Sequence, residues 1–176
     1  PDEVRALVDY CDERSLPLWL VSEQRSRFNY HFNDRVPVVM AEIHTEIPER
    51  CDLHTMLQEP VVKAVMFLTA QEVREGPLSF MPHARSTQWF IHGQDIIPTE
   101  GGKLPAMRFM AEANGWSPDE LMAFGDSEND NEMLRYAGTG VAMGNALEET
   151  KAASDYVTDD CDDEGVAHAL AHFALI

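Results

Sequence analysis

From about residue 104 onward the sequence alternates between helical and extended patterning, and this alternation limits its possible folds more than any other feature. A helix pattern runs from about 104 to 114, with Pro105 tolerable in its first turn. The apolar run LMAF follows, then a helix from 130 to 137 and the strand GVAMG at 140–144. A helix from 146 to 153, the short strand DYVT and a helix from 163 to 174 complete the series. Strands that alternate with helices predict a parallel α/β layer.

The first half has another texture. Residues 2–14 read as a helix, with Val4, Leu7, Val8 and Cys11 on one face and Asp2 and Glu3 in the first turn. PLWLVS (17–22), VVKAVMFLT (61–69) and STQWFIHG (86–93) read as strands that mix polar and apolar positions. A small antiparallel sheet with one face covered by helices fits that pattern. The aromatic residues Phe28, Tyr30, Phe32, Trp89 and Phe90 are expected in its core. The change of texture lies near 94–100, which divides the chain into 1–96 and 97–176. The fold class is therefore α/β. The chain opens at Pro1 in a pattern that is already helical, which suggests a fragment or a processed chain.

Thirty-one acidic residues against thirteen Lys and Arg give a net charge of −18. A field of that sign repels nucleic acid and anionic membrane, so neither is expected as a partner. An anionic substrate would need local positive charge, from a metal or a placed Lys. No apolar run approaches a bilayer span. Cys11, Cys51 and Cys161 are far apart and odd in number, which predicts a reduced, cytoplasmic compartment.

The densest polar cluster is LMAFGDSENDNEML, at 121–134. Ligands of a parallel sheet gather beyond the carboxyl ends of its strands. Here a strand ends in Gly125, which permits close approach, and then Asp126; Asn129 and Asp130 follow where a helix begins. Carboxylates and amide oxygens are the ligands that a hard cation such as Mg²⁺ takes. A helix start decorated with acids is the plainer reading of the same spacing.

AFGDSENDNEMLRYAGTGVAMGNALEETKAASDYVT, followed by DEGVAHAL, closely resembles the carboxyl-terminal part of haloacid dehalogenase (HAD) superfamily phosphatases of the Cof type. The shared features are GDxxND, a Met three residues on, AGxGVAMGNA and a late DxxGV. The resemblance runs from about 93 to 174. The preceding segment resembles the C2-type α/β cap that such enzymes insert in their Rossmann-like core. The resemblance implies that Asp126 is the Mg²⁺ ligand, that Asn129 helps hold the phosphate group, and that Asp130 is the acidic partner of the metal site. Lys103, in DIIPTEGGK, is implied as the lysine that pairs with the nucleophile and the phosphoryl oxygens. The family pattern continues Lys-Gly there, whereas this chain has Lys103-Leu104-Pro105.

The family's first motif, an Asp-x-Asp after an amino-terminal strand, occurs nowhere in the sequence. VDYCDERS and TDDCDDEG, the nearest pieces, are not preceded by an amino-terminal strand. Ser22 follows an apolar strand but lies within the cap-like segment. The expectation is therefore an incomplete parallel core plus a cap, active as a Mg²⁺-dependent phosphomonoester hydrolase on small phosphorylated metabolites only with its nucleophile supplied. In that reading an aspartyl-phosphate forms and is hydrolysed. The unpaired sheet edge left by the absent strand invites self-association. The alternative is a non-catalytic protein that binds phosphates or a partner.

Other motifs read as structure. DCDDEG (160–165) resembles half a calcium loop, but its twelfth position is Ala171 rather than Glu. His168 and His172 are one turn apart without the Glu of a zinc-protease helix. Gly138, Gly140 and Gly144 suit turns and strand entries better than a dinucleotide fingerprint.

Overall fold

The computed structural model describes residues 2–176. It divides into two compact units, Pro1–Thr99 and Glu100–Ile176.

The first unit contains α1 (Asp2–Glu13), β1 (Leu18–Ser22), β2 (Ser26–Phe28), α2 (Arg35–Glu42), β3 (Val61–Met66), α3 (Ala70–Glu75), β4 (Ala84–Phe90) and β5 (Gly93–Pro98). The strands form one antiparallel sheet in the order β2-β1-β3-β5-β4. Because side chains alternate along a strand, Leu18, Leu20, Ala64, Met66 and Ile96 share one face. Leu7, Val8 and Cys11 of α1 and Val73 of α3 close over that face. Each fully buried aliphatic side chain there contributes about 1.5–3 kcal/mol.

The opposite face carries Val65 and Phe28, against which Val36, Val39 and Met40 of α2 pack. The expectation of helices on one face only is thus corrected: α2 covers part of the second. The expected aromatic core also needs correction. Phe28 is fully buried and Trp89 and Phe90 lean on its cluster, but Tyr30 and Phe32 are 66% and 49% exposed. They lie beyond the end of β2, where the Arg50 guanidinium stands 5.4 Å from the Phe32 ring and leaves both rings largely open. Ser22 is buried; its hydroxyl donates to Glu59 at 2.7 Å and accepts from the Arg25 N–H at 3.2 Å, which holds a tight turn rather than a ligand.

The second unit contains α4 (Lys103–Asn114), β6 (Met122–Gly125), α5 (Asn131–Tyr136), β7 (Thr139–Ala142), α6 (Glu148–Lys151), β8 (Tyr156–Val157) and α7 (Gly165–His172). Its sheet is parallel, in the order β6-β7-β8. Gly115, at φ 71°, ends α4 in the left-handed conformation, and Trp116 N–H returns to the Ala111 carbonyl at 2.9 Å. Ala123, Leu134 and Ala137 form a small core between β6 and α5. On α4 only Ala111 is buried, and Phe109 and Met110 are 70% and 52% exposed. No helix among the described residues is long and apolar enough to cross a membrane. All three cysteines are free thiols. Burial pushes the Cys11 thiol up to about 12, so it behaves as a small apolar side chain.

Candidate active site

The loop that follows β6 is built around one carboxylate. Asp130 is 1% exposed. Its Oδ2 accepts from the backbone N–H groups of Asp126 at 3.1 Å and Ser127 at 3.3 Å. Its Oδ1 accepts from Nζ of Lys103 at 2.5 Å. Asp130 thus folds the GDSEND segment back on itself and fastens it to the first residue of α4. Gly125 makes room for this. A Cβ on Gly125 would sit 2.7 Å from Cγ of Asp130. The glycine therefore serves the approach of Asp130, not that of a ligand.

The parallel register holds the other side of the loop. Gly125 pairs with Ala142, the Gly125 carbonyl accepts from Met143 N–H at 2.9 Å, and the Asp126 carbonyl accepts from Leu147 N–H at 3.1 Å. This leaves the Asp126 side chain at the carboxyl end of β6, exposed. Among the described residues nothing donates to its carboxylate. Asn129, on the same turn, has a buried Oδ1 with no hydrogen-bond partner. An open carboxylate and an unpartnered amide oxygen are the donor chemistry that Mg²⁺ takes, so these residues fit that ion. Asp130 differs, because both its oxygens are engaged. Lys103 keeps half of its side-chain surface exposed beyond the ion pair, so its charge still faces solvent.

Sequence reasoning therefore named Lys103, Asp126, Asn129 and Asp130, and the structure joins Lys103 directly to Asp130 and, through Asp130, to the backbone of Asp126. It missed the amide of Ser127, whose contribution is a backbone group that no side-chain pattern reveals. DCDDEG is a cap: Asp160 accepts from Asp162 N–H at 3.3 Å at the start of a single 3₁₀ turn. Oxygen and sulfur atoms of Asp160, Cys161 and Asp162 lie within 4.8 Å of one another, a spacing that exposed acidic groups often show without an ion. His168 pairs with Asp159 at 2.8 Å and His172 stacks on Tyr156, so they do not converge on one point.

The family model for haloacid dehalogenase-like hydrolases matches residues 1–170. The chain belongs to this family. The HAD subclass IIB sugar phosphatase BT4131 superposes with a TM-score of 0.85 at 30% identity, over 99% of this chain and 66% of that one. YkrA of Bacillus subtilis is 29% identical over 173 residues, which are 98% of this chain and 66% of that protein. A phosphoglycolate phosphatase of Methanothermobacter thermautotrophicus is 33% identical over 152 residues, 81% of this chain and 67% of its own length. The chain thus spans about two thirds of the length of these HAD relatives.

Proposed function

We propose that this chain supplies the cap and the carboxyl-terminal part of the core of a Mg²⁺-dependent phosphomonoester hydrolase that acts on small phosphorylated metabolites of the sugar-phosphate type. The first unit is assigned as the C2-type cap that sets substrate choice. The observation that carries the reading is the Lys103–Asp130–Asp126 arrangement at the carboxyl end of a parallel strand. The names of the phosphatases BT4131 and phosphoglycolate phosphatase favour the same reaction class.

Phosphoryl transfer needs positioning and positive charge around the equatorial oxygens more than covalent help. Asp126, with Asn129 beside it, would hold Mg²⁺, which when bound neutralises charge on the phosphoryl group. Lys103 brings a fixed ammonium to the same oxygens, and Asp130 aims it. Asn129 donates its amide N–H to the phosphate. A carboxylate nucleophile attacks phosphorus and the ester oxygen leaves; water then hydrolyses the aspartyl-phosphate. We assign no residue of this chain as that nucleophile, because the one Asp-x-Asp in it, Asp160-Cys161-Asp162, caps a 3₁₀ turn after the edge strand β8 and does not follow an amino-terminal strand. The three unpaired thiols suit a cytoplasmic protein.

The test is hydrolysis of an aryl phosphate by this chain and by a form preceded by an in-frame Asp-x-Asp strand. We expect Mg²⁺-dependent turnover from the longer form alone. Turnover by the 176-residue chain above a contaminant control, or activity of the longer form in excess chelator, overturns the reading. The same free strand edge at β6 and the exposed Phe109 and Met110 support self-association of the chain when nothing else covers them. Sizing in solution tests this; a strict monomer at high concentration argues against it.

A further inference from the structure

His54 stands in a short 3₁₀ segment (Leu53–Gln58) that packs beside α1. Both of its ring nitrogens face carboxylates. Nε2 lies 2.8 Å from Oδ1 of Asp9 on α1, and Nδ1 lies 3.0 Å from Oδ1 of Asp52 in its own turn. A second carboxylate of α1, Asp12, stands 3.9 Å from Nδ1. Asp12 also reaches 3.1 Å to Nε2 of His31, in the segment that carries the exposed Tyr30 and Phe32. Arg50, the cation nearest to His54 in sequence, lies over the Phe32 and Phe28 rings, and Arg14, just past α1, pairs with Glu13 and lies over the Tyr10 ring. Within 4 Å the His54 ring therefore faces the carboxylates of Asp9, Asp12 and Asp52, and His31 shares Asp12.

A carboxylate only accepts, and a neutral imidazole has one N–H. Two carboxylates on the two nitrogens of one ring are both satisfied only when the ring carries both protons. We propose that His54 is a proton-operated clamp, which ties α1 to the 53–58 turn while doubly protonated and releases one of the two when it loses a proton. The partners agree in direction. The hydrogen bond to Asp9, then that to Asp52, raises His54 above its ordinary 6.5, and the backbone and side-chain hydrogen bonds from His54 hold Asp52 below the usual carboxylate range.

The sign of the linkage follows. A group whose folded value is raised stabilises fully below its unfolded value, here near 6.5, and the stabilisation fades as pH rises through the higher folded value. Loss of the proton leaves a lone pair against a carboxylate. The Asp52 contact is local to the turn, so the link that loosens is the one across to Asp9. The local consequence is a freer 53–58 turn against α1 at mildly alkaline pH.

The experiment is an NMR titration of the His54 ring resonances in the 176-residue chain, with Asp9→Asn alongside, and with thermal melts of wild type and His54→Gln between pH 5.5 and 9. We expect His54 to titrate above 6.5, Asp9→Asn to lower its midpoint, and the wild-type advantage in melting temperature over His54→Gln to shrink as pH rises. A wild-type midpoint at or below 6.5 overturns the clamp even if neither variant folds. A melting difference that stays flat across the range also overturns it.

Discussion

Gly125 and Asp130 are packed so closely that the glycine's missing side chain defines the space which the carboxylate occupies. An added methyl would lie 2.7 Å from Cγ and 3.0 Å from Oδ2 of Asp130. Gly125→Ala must displace a buried side chain that makes three hydrogen bonds. The expected loss is about 1–3 kcal/mol of stability, the scale of overpacking. Urea denaturation of this chain measures it, and a wild-type midpoint would mean that the loop yields freely.

Asp130→Ala strands two backbone N–H groups and the Lys103 ammonium at once. It should lower the unfolding free energy by about 1–3 kcal/mol, since Lys103 can turn to solvent but the amides cannot. Asp130→Asn keeps an acceptor for the amides and should lose less. Equal losses in the two variants would show that charge, not the hydrogen bonds, holds the loop.

Asp126→Asn should weaken Mg²⁺ binding more than Asp162→Asn does, because only Asp126 offers an unengaged carboxylate at a strand's carboxyl end. Isothermal titration of the two variants with Mg²⁺ separates them. In a nucleophile-bearing form, Lys103→Ala should also lower turnover by about 10²–10³, the scale for one electrostatic stabiliser, while Lys63→Ala leaves it nearly intact. Equal binding losses at 126 and 162 would remove the reason to prefer GDSEND.

Glu72 is held down to about 2, first by its hydrogen bond with the Arg35 guanidinium and then by the Thr69 groups that it caps. A depressed carboxylate stabilises above its unfolded value, near 4.5, and that stabilisation is lost as pH falls towards 2. Glu72 is 43% exposed, so solvent screening keeps the pair's worth to about 0–1 kcal/mol. The melting-temperature gap between wild type and Glu72→Gln should be full at pH 6 and shrink between pH 4.5 and 2. A gap unchanged down to pH 2 would contradict the assignment.

GDSEND and its strand were legible because chemistry and periodicity coincide there: an apolar run, a glycine, then acids at a helix start. Lys103 was legible only through its family resemblance, since nothing local marks it as the partner of a residue 27 positions away. The second strand of the β4–β5 hairpin was not legible. GQDIIP begins with Gly and ends with Pro and so resembles a turn, and its extended state depends on the register with β4. α2 was hidden for the opposite reason. RVPVVMAE has low helix propensity, and burial of Val36, Val39 and Met40 against the sheet overrides it. Pro37 is tolerated because it falls in the first turn. Tyr30 and Phe32 misled because aromatic residues are usually covered, and exposure at a strand's end has no sequence mark.

Among the described residues β6 pairs with β7 alone, and in parallel. Neighbouring strands lie about 4.8 Å apart, and a parallel newcomer runs in the same direction as its host. A strand that pairs with the vacant side of β6 in that sense and ends level with it therefore delivers the residue just past its own end to within about 5 Å of the Asp126 position. The bare edge is in this respect a measuring device. It sets the spacing across the sheet, and each residue of slip in register then moves that segment's first loop residue by about 3.3 Å along β6 relative to Asp126.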